Sequence, residues 1–279
     1  MILLLELTGI FFGLSIVLSY AIRSPRPARA LLRAAIISAS AWIAEESCIL
    51  LYRFYDYHAG WNLFLDRVPL LVVVIWPVII LSARDLTSHL RAAHPGKGPL
   101  AGAAVVATDA LFIEPIATGT GIWSWNLPGL FNVPPVGILG WFYFALLWMY
   151  LLDDKTREGP LSAYDLQLLV LPVMGTHLLL LLTWWGALRW MNHPLPDPAI
   201  AAAAWFVSFF MTVAIYKNQT GRRIHKKTLL LRLPAALFFL VLLTFKAAGP
   251  FSLTVYALAF VPPYGMLMAQ QYRYPDQVI

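Results

Sequence analysis

Residues 100–120, LAGAAVVATDALFIEPIATGT, carry the information that determines the fold. The run is 21 residues long and holds only two charged side chains, Asp109 and Glu114. A helix rises 1.5 Å per residue, so about 20 apolar residues cross the ~30 Å hydrocarbon core of a bilayer. A carboxyl group at that depth is costly unless it is paired, protonated or turned into a polar cavity, so such residues usually mark function. The aromatic cluster Trp123-Ser124-Trp125 follows directly.

The remainder of the chain has the same character. Of its residues 60% are hydrophobic and 12% charged, with a mean hydropathy of +0.70, whereas a soluble domain carries about a quarter charged residues. Apolar segments long enough to span fall near 2–22, 31–52, 67–86, 100–120, 137–152, 163–186, 199–216, 230–246 and 251–270. The fifth and eighth are short, which predicts an all-α, polytopic helical membrane protein with eight or nine transmembrane helices. The connections, the longest roughly 14 residues, leave no room for a soluble domain, so residues 1–279 are expected to form one integral-membrane domain. Met1 leads straight into an apolar run with no basic residues ahead of it and no small-residue cleavage site, so the first segment is expected to be retained as a helix.

Charge sets the expected orientation. With nine spans, sixteen basic residues fall on one side, among them Arg23, Arg26, Arg29, Arg33, Arg84, Lys155, Lys217, Lys227 and Arg232. Only Arg53, Arg67, Arg189 and Lys246 fall on the other. The positive-inside rule then puts the N-terminus outside and the C-terminus in the cytoplasm. The net charge of +6 and pI near 9.5 are accounted for by these short loops and anionic headgroups, so nucleic acid is not an expected partner. A single cysteine, Cys48, excludes an intrachain disulfide and a cysteine-built metal site, and reads as a small apolar packing residue.

Acids gather in two spans. The second contains Glu45 and Glu46 and leads into Tyr55-Asp56-Tyr57; the fourth contains Asp109 and Glu114. Both run outward, which brings both pairs into the outer half of the membrane beside Tyr55/Tyr57 and Trp123/Trp125. Neighbours on a helix lie about 100° apart, so at most one of Glu45 and Glu46 points straight into any cavity. Asp109 and Glu114 diverge by about 140° and are offset by roughly 7.5 Å, so one can face a substrate while the other bonds a neighbouring helix. The plainer readings are interfacial anchoring for the aromatics and interhelical hydrogen bonds for the acids. His177 reads as a hydrogen-bonded packing residue, and Glu6 stands too near the N-terminus to interpret.

Several chemistries drop out. The six histidines are scattered, which argues against a membrane di-iron ladder. No glycine-rich phosphate loop occurs, and Asp153-Asp154 sits with Lys155, Arg157 and Glu158 in a loop, as solvated charge rather than a magnesium-diphosphate site. What remains is an acid, an apolar cavity and aromatic walls, with no metal or other cofactor expected. That combination suits protonation of an alkene, with ring faces stabilising the carbocation and water or an internal double bond quenching it. The expected partners are a lipophilic polyene or isoprenoid drawn from the bilayer, and membrane lipids.

Asp109-Ala-Leu-Phe-Ile-Glu114-Pro115, Gly121-Ile-Trp123-Ser-Trp125 and Gly140-Trp141-Phe142 resemble the integral-membrane carotenoid biosynthesis proteins that include the γ-carotene and bisanhydrobacterioruberin hydratases. Upstream, Glu45 or Glu46, Tyr55-Asp56-Tyr57, Val68-Pro69-Leu70 and Trp76 extend the resemblance over residues 42–142. It implies cofactor-independent hydration of a terminal double bond of an acyclic carotenoid end, in a bacterial or archaeal cell membrane. Asp109 or Glu114 would then be the proton donor, with the other acid, Glu46 or Glu45 orienting water or offsetting positive charge. Tyr55, Tyr57, Trp76, Trp123, Trp125 and Trp141 would line the substrate. Where the family commonly carries an asparagine, this chain reads Pro134-Pro135-Val136-Gly137-Ile138, which favours a second reading, a cyclase that protonates in the same way but excludes water. A third is a non-catalytic carotenoid or lipid binding protein, with other carotenoid-biosynthesis enzymes as candidate partners.

Overall fold

The computed structural model describes residues 2–93, 96–152, 163–245 and 251–273. Two long helices open the chain, α1 (Ile2–Arg23) and α2 (Pro27–Tyr52). Three short strands follow, β1 (Tyr55–Tyr57), β2 (Phe64–Leu65) and β3 (Val68–Pro69), and then α3 (Leu70–Leu86), α4 (Ser88–Ala93) and α5 (Lys97–Gly119). Strand β4 (Trp123–Trp125) precedes α6 (Pro135–Leu151) and α7 (Ala163–Leu180), which continues as a π-helix over Leu181–Leu188. The chain ends in α8 (Asp197–Asn218), α9 (Lys226–Phe245), α10 (Phe251–Leu258) and α11 (Val261–Arg273).

Each of the nine expected spans is helical among the described residues. Seven segments are long and apolar enough to cross a membrane, and α6 is a shorter apolar helix. The chain is an all-α, multi-pass membrane protein. Boundaries differ from expectation for local reasons. Helix α2 starts early because Pro27 suits a first turn, where no backbone donor is needed, and α3 starts late because Val68 and Pro69 pair with Phe64 and Leu65. The last span is broken into α10 and α11. The pair Asp153-Asp154, with Lys155, Arg157 and Glu158, lies outside the described residues, as does Lys246.

The core lies between α2, α3, α5, α6 and α7, where Ile37, Ile80, Val106 and Trp148 are fully buried. The outward faces are apolar and exposed, as at Phe206, Phe209 and Phe210 of α8, because lipid rather than water surrounds them. Helix α1 rides on α3 through Gly9 and Gly13, where a Cβ would stand 2.7 Å and 3.0 Å from the side chains of Leu71 and Val74. Small residues one turn apart allow such backbone approach where no hydrophobic force drives helices together.

Pairs of buried charge lock one end of the bundle. Both terminal nitrogens of Arg29 on α2 meet the Asp165 carboxylate of α7 at 2.7 Å. Arg84 Nη2 donates to the Leu152 carbonyl at 3.0 Å. Arg232 of α9 donates to Asp109 of α5 and, at 2.7 Å, to Ser82 Oγ of α3. At the other end, Glu6 is fully buried and accepts from the Asn62 backbone and side chain and the Leu63 backbone at 2.8–3.1 Å, tying α1 to the loop before β2.

Candidate active site

Strands β1 and β4 pair antiparallel, with Tyr55 opposite Trp125, Asp56 opposite Ser124 and Tyr57 opposite Trp123. Side chains alternate along a strand, so all four aromatics share one face while Asp56 and Ser124 occupy the other. The rings touch in pairs, Tyr55 with Trp125 at a centroid distance of 4.8 Å and Tyr57 with Trp123 at 5.9 Å. Bonds from Asn126 N to the Phe54 carbonyl and from His58 N to the Ile122 carbonyl extend the ribbon at its two ends. The ribbon covers a cavity of about 590 Å³ lined by Glu45, Glu114 and all six aromatics singled out in the sequence.

Two carboxyl groups face this cavity, each held by three aromatic donors. Glu114 Oε2 accepts from the indole nitrogens of Trp123 and Trp125 at 2.8 Å and 2.9 Å, and Oε1 accepts from Trp141 at 2.9 Å. Glu45 Oε2 accepts from the hydroxyls of Tyr55 and, at 3.2 Å, Tyr57, and Oε1 accepts from Trp76 Nε1 at 3.0 Å. Trp76 and Trp141 lie against each other at 4.8 Å, joining the two sets. Burial foremost, and the Glu45 charge next, raise the pKa of the Tyr55 and Tyr57 hydroxyls well above the ordinary value, which keeps them protonated as donors.

The local sequence explains how Glu114 is presented. Pro115 follows it inside α5 and has no N–H to offer the carbonyl four residues back, that of Leu111. The Tyr256 hydroxyl of α10 supplies that bond at 2.7 Å. On α6, Gly137 leaves room for Trp125, whose ring would lie 2.6 Å from a Cβ at that position.

The four candidate acids separate. Glu45 and Glu114 share the cavity, whereas Glu46 and Asp109 do not line it. Glu46, one residue and about 100° round the helix from Glu45, accepts from the Arg67 backbone N–H at 3.1 Å and lies 3.6 Å from its guanidinium. Asp109 is diverted into the ion pair with Arg232, and both side chains are largely buried. Neither therefore stands beside the aromatic ribbon. Cys48 borders the cavity, and His177 bonds Ser47 at 2.8 Å and Tyr52 at 3.1 Å, as a packing histidine would.

Sequence reasoning missed the pairing of β1 with β4, although Tyr-Asp-Tyr and Trp-Ser-Trp each alternate aromatic, polar, aromatic. It also missed Glu6 and the pairing of Asp109 with Arg232. Neither of these left a local signal, since the partners lie 56 and 123 residues away.

A family model described as carotenoid biosynthesis protein matches residues 6–209. The chain belongs to the carotenoid biosynthesis protein family. No curated protein and no solved structure matches it. The family match takes in both carboxyl groups and their six aromatic donors, and extends well beyond the 42–142 stretch whose motifs carry the resemblance. A role in carotenoid biosynthesis follows for this member.

Proposed function

We propose that this carotenoid biosynthesis protein is a hydratase that adds water across the terminal double bond of an acyclic carotenoid end, with Glu114 as acid and Glu45 as base. The observation that carries the reading is that two separately held carboxyl groups border one cavity whose other walls are apolar and aromatic. A carboxylate has about four lone-pair positions. Three on Glu114 take indole N–H groups, and the fourth, on Oε1, is where a transferable proton sits.

Glu114 gives that proton to the less substituted alkene carbon, forming a C–H bond and leaving a tertiary carbocation on its neighbour. The three indole donors, already oriented, stabilise the carboxylate left behind, and the surrounding ring faces stabilise the cation. Water then forms the C–O bond and releases a proton to Glu45, whose three donors hold it in position. Alkene and water become a tertiary alcohol, and the proton passes from Glu45 back to Glu114 to close the cycle.

One observation favours cyclisation as a second reading. Outside the two carboxyl sets and the Trp61 indole, the polar side chains on the cavity wall are Thr8, Cys48 and Thr176, and the Thr176 hydroxyl is committed to the Pro172 carbonyl at 2.6 Å. A wall so poor in water sites suits quenching by an internal double bond, with proton loss to Glu45. Pigment analysis by chromatography and mass spectrometry, in a host accumulating lycopene or γ-carotene, separates the two. A product heavier by one water supports hydration, and an isomer of unchanged mass supports cyclisation. Unchanged pigment bound to the protein would support the non-catalytic binding reading. Full product from both Glu114→Gln and Glu45→Gln would sink the acid–base mechanism.

The basic residues at the end opposite the carboxyls support an N-terminus outside and a C-terminus in the cytoplasm. A reporter fused after Lys217 is then expected to be active on the cytoplasmic side only.

A further inference from the structure

The cavity has a buried end and an open one. Around the carboxyls its walls are buried, as at Trp76, Tyr55 and Glu114. Along α1 and α9 the same cavity is lined by Leu4, Thr8, Phe12, Pro234 and Ala235, all of them exposed. Helices α1 and α9 each pack against α3, which forms the back wall between them. The cavity is therefore a groove along α3 whose mouth opens sideways, between α1 and α9, onto the face that lipid covers.

The groove also has a floor. Its α1 wall runs from Leu4 to Ile16, about 18 Å at 1.5 Å per residue. One turn past its last α3 residues, Val78 and Ile79, stands Ser82; one turn before Ile113 on α5 stands Asp109; and next to Leu231 on α9 stands Arg232. Arg232 donates to both Ser82 and Asp109, and the three close that end with charge. Among the described residues the cavity lining is exposed only along α1 and α9, so an apolar chain longer than the groove, with one end among the carboxyls, leaves through the lateral mouth.

We infer that the groove holds the linear part of a polyene substrate and that its remainder leaves between α1 and α9 into the bilayer, with Thr8 and Ala235 as the gate residues that set what can enter. This rests on the reading of Glu114 and Glu45 as the reacting groups. Gly9 and Gly13 contribute by seating α1 directly on α3. The Arg232–Asp109–Ser82 network closes the far end of the groove, so that the rest of the chain is turned toward the mouth.

The test uses the purified full chain in lipid nanodiscs loaded with lycopene. Bound polyene is read by visible absorbance after gel filtration and by quenching of tryptophan fluorescence. Ala235→Trp and, on the opposite wall, Thr8→Trp fill the mouth, and each is expected to lower bound polyene by at least about tenfold, the scale of overpacking a fitted site. Phe206→Trp, on the lipid face of α8, is expected to bind like the parent. If either mouth variant elutes as folded protein and binds lycopene like the parent, the lateral mouth is wrong. If the parent retains only acyl lipid and no polyene, the assigned occupant is wrong. If the parent binds lycopene unchanged while the mouth variants release it, the groove stands and the catalytic reading falls.

Discussion

The Trp125 indole occupies the space that any side chain at position 137 would need, with its Cζ2 only 2.6 Å from a Cβ built on Gly137. That indole also donates to Glu114 at 2.9 Å. A glycine on α6 thus sets the position of a donor on β4, and through it the carboxyl on α5. Gly137→Ala should gain about 1 kcal/mol of helix propensity yet lose activity, because displacing a positioning group by about 1 Å can cost on the order of 100-fold. Turnover measured alongside thermal stability checks this. A variant that is as active as the parent would show that Trp125 need not sit where it does.

Trp141→Phe removes a single N–H from Glu114 Oε1 and keeps most of the ring that lies against Trp76. Losing one preorganised donor to developing negative charge typically costs about 10² in rate. The expected result is a fall of that order in turnover with polyene binding retained. A fall in binding with turnover per bound molecule unchanged would make Trp141 a wall rather than a donor.

The membrane helices were legible because twenty apolar residues read the same way whatever they pack against. The site was legible only in part. Helix geometry requires Glu45 and Glu46 to diverge, and Asp109 and Glu114 likewise, but it is silent on which member faces inward. That choice is made by Trp123 and Trp125 on β4, which follow Glu114 closely but reach it only through the β1–β4 pairing, and by partners remote in sequence, Trp76 on α3, Trp141 on α6 and Arg232 on α9. The β1–β4 ribbon was hidden for a related reason. Strands of three residues have too little pattern to register against one another, and only the shared aromatic alternation hints at the pairing.

Asp109 illustrates the consequence. Its partner Arg232 is largely buried, and removing the carboxylate charge leaves the guanidinium with Ser82 at 2.7 Å and no counter-charge from Asp109. Breaking one side of a buried pair costs about 3 kcal/mol or more. Asp109→Asn is therefore expected to lower the thermal midpoint in detergent clearly, while protein that remains folded turns over at close to the parent rate. An Asp109→Asn protein of normal stability but no activity would return Asp109 to the chemistry.

Tyr55 and Tyr57 predict a pH dependence. Their hydroxyls ionise near 10 in an unfolded chain, and burial, with Glu45 nearby, raises both well above that in the folded state. Below the unfolded value both states are protonated and the full stabilisation is present. As pH rises past it, the unfolded state loses protons that the folded state keeps, so stability falls by up to about 1.4 kcal/mol per pH unit for each tyrosine until the folded value is reached. The ultraviolet tyrosinate signal of the native protein should lack these two residues just above pH 10, and the Tyr55→Phe/Tyr57→Phe double variant should have a shallower alkaline limb in its stability profile. An equally steep limb in that variant would mean that other groups govern alkaline unfolding, and that the two hydroxyls are less firmly held against Glu45 than their geometry indicates.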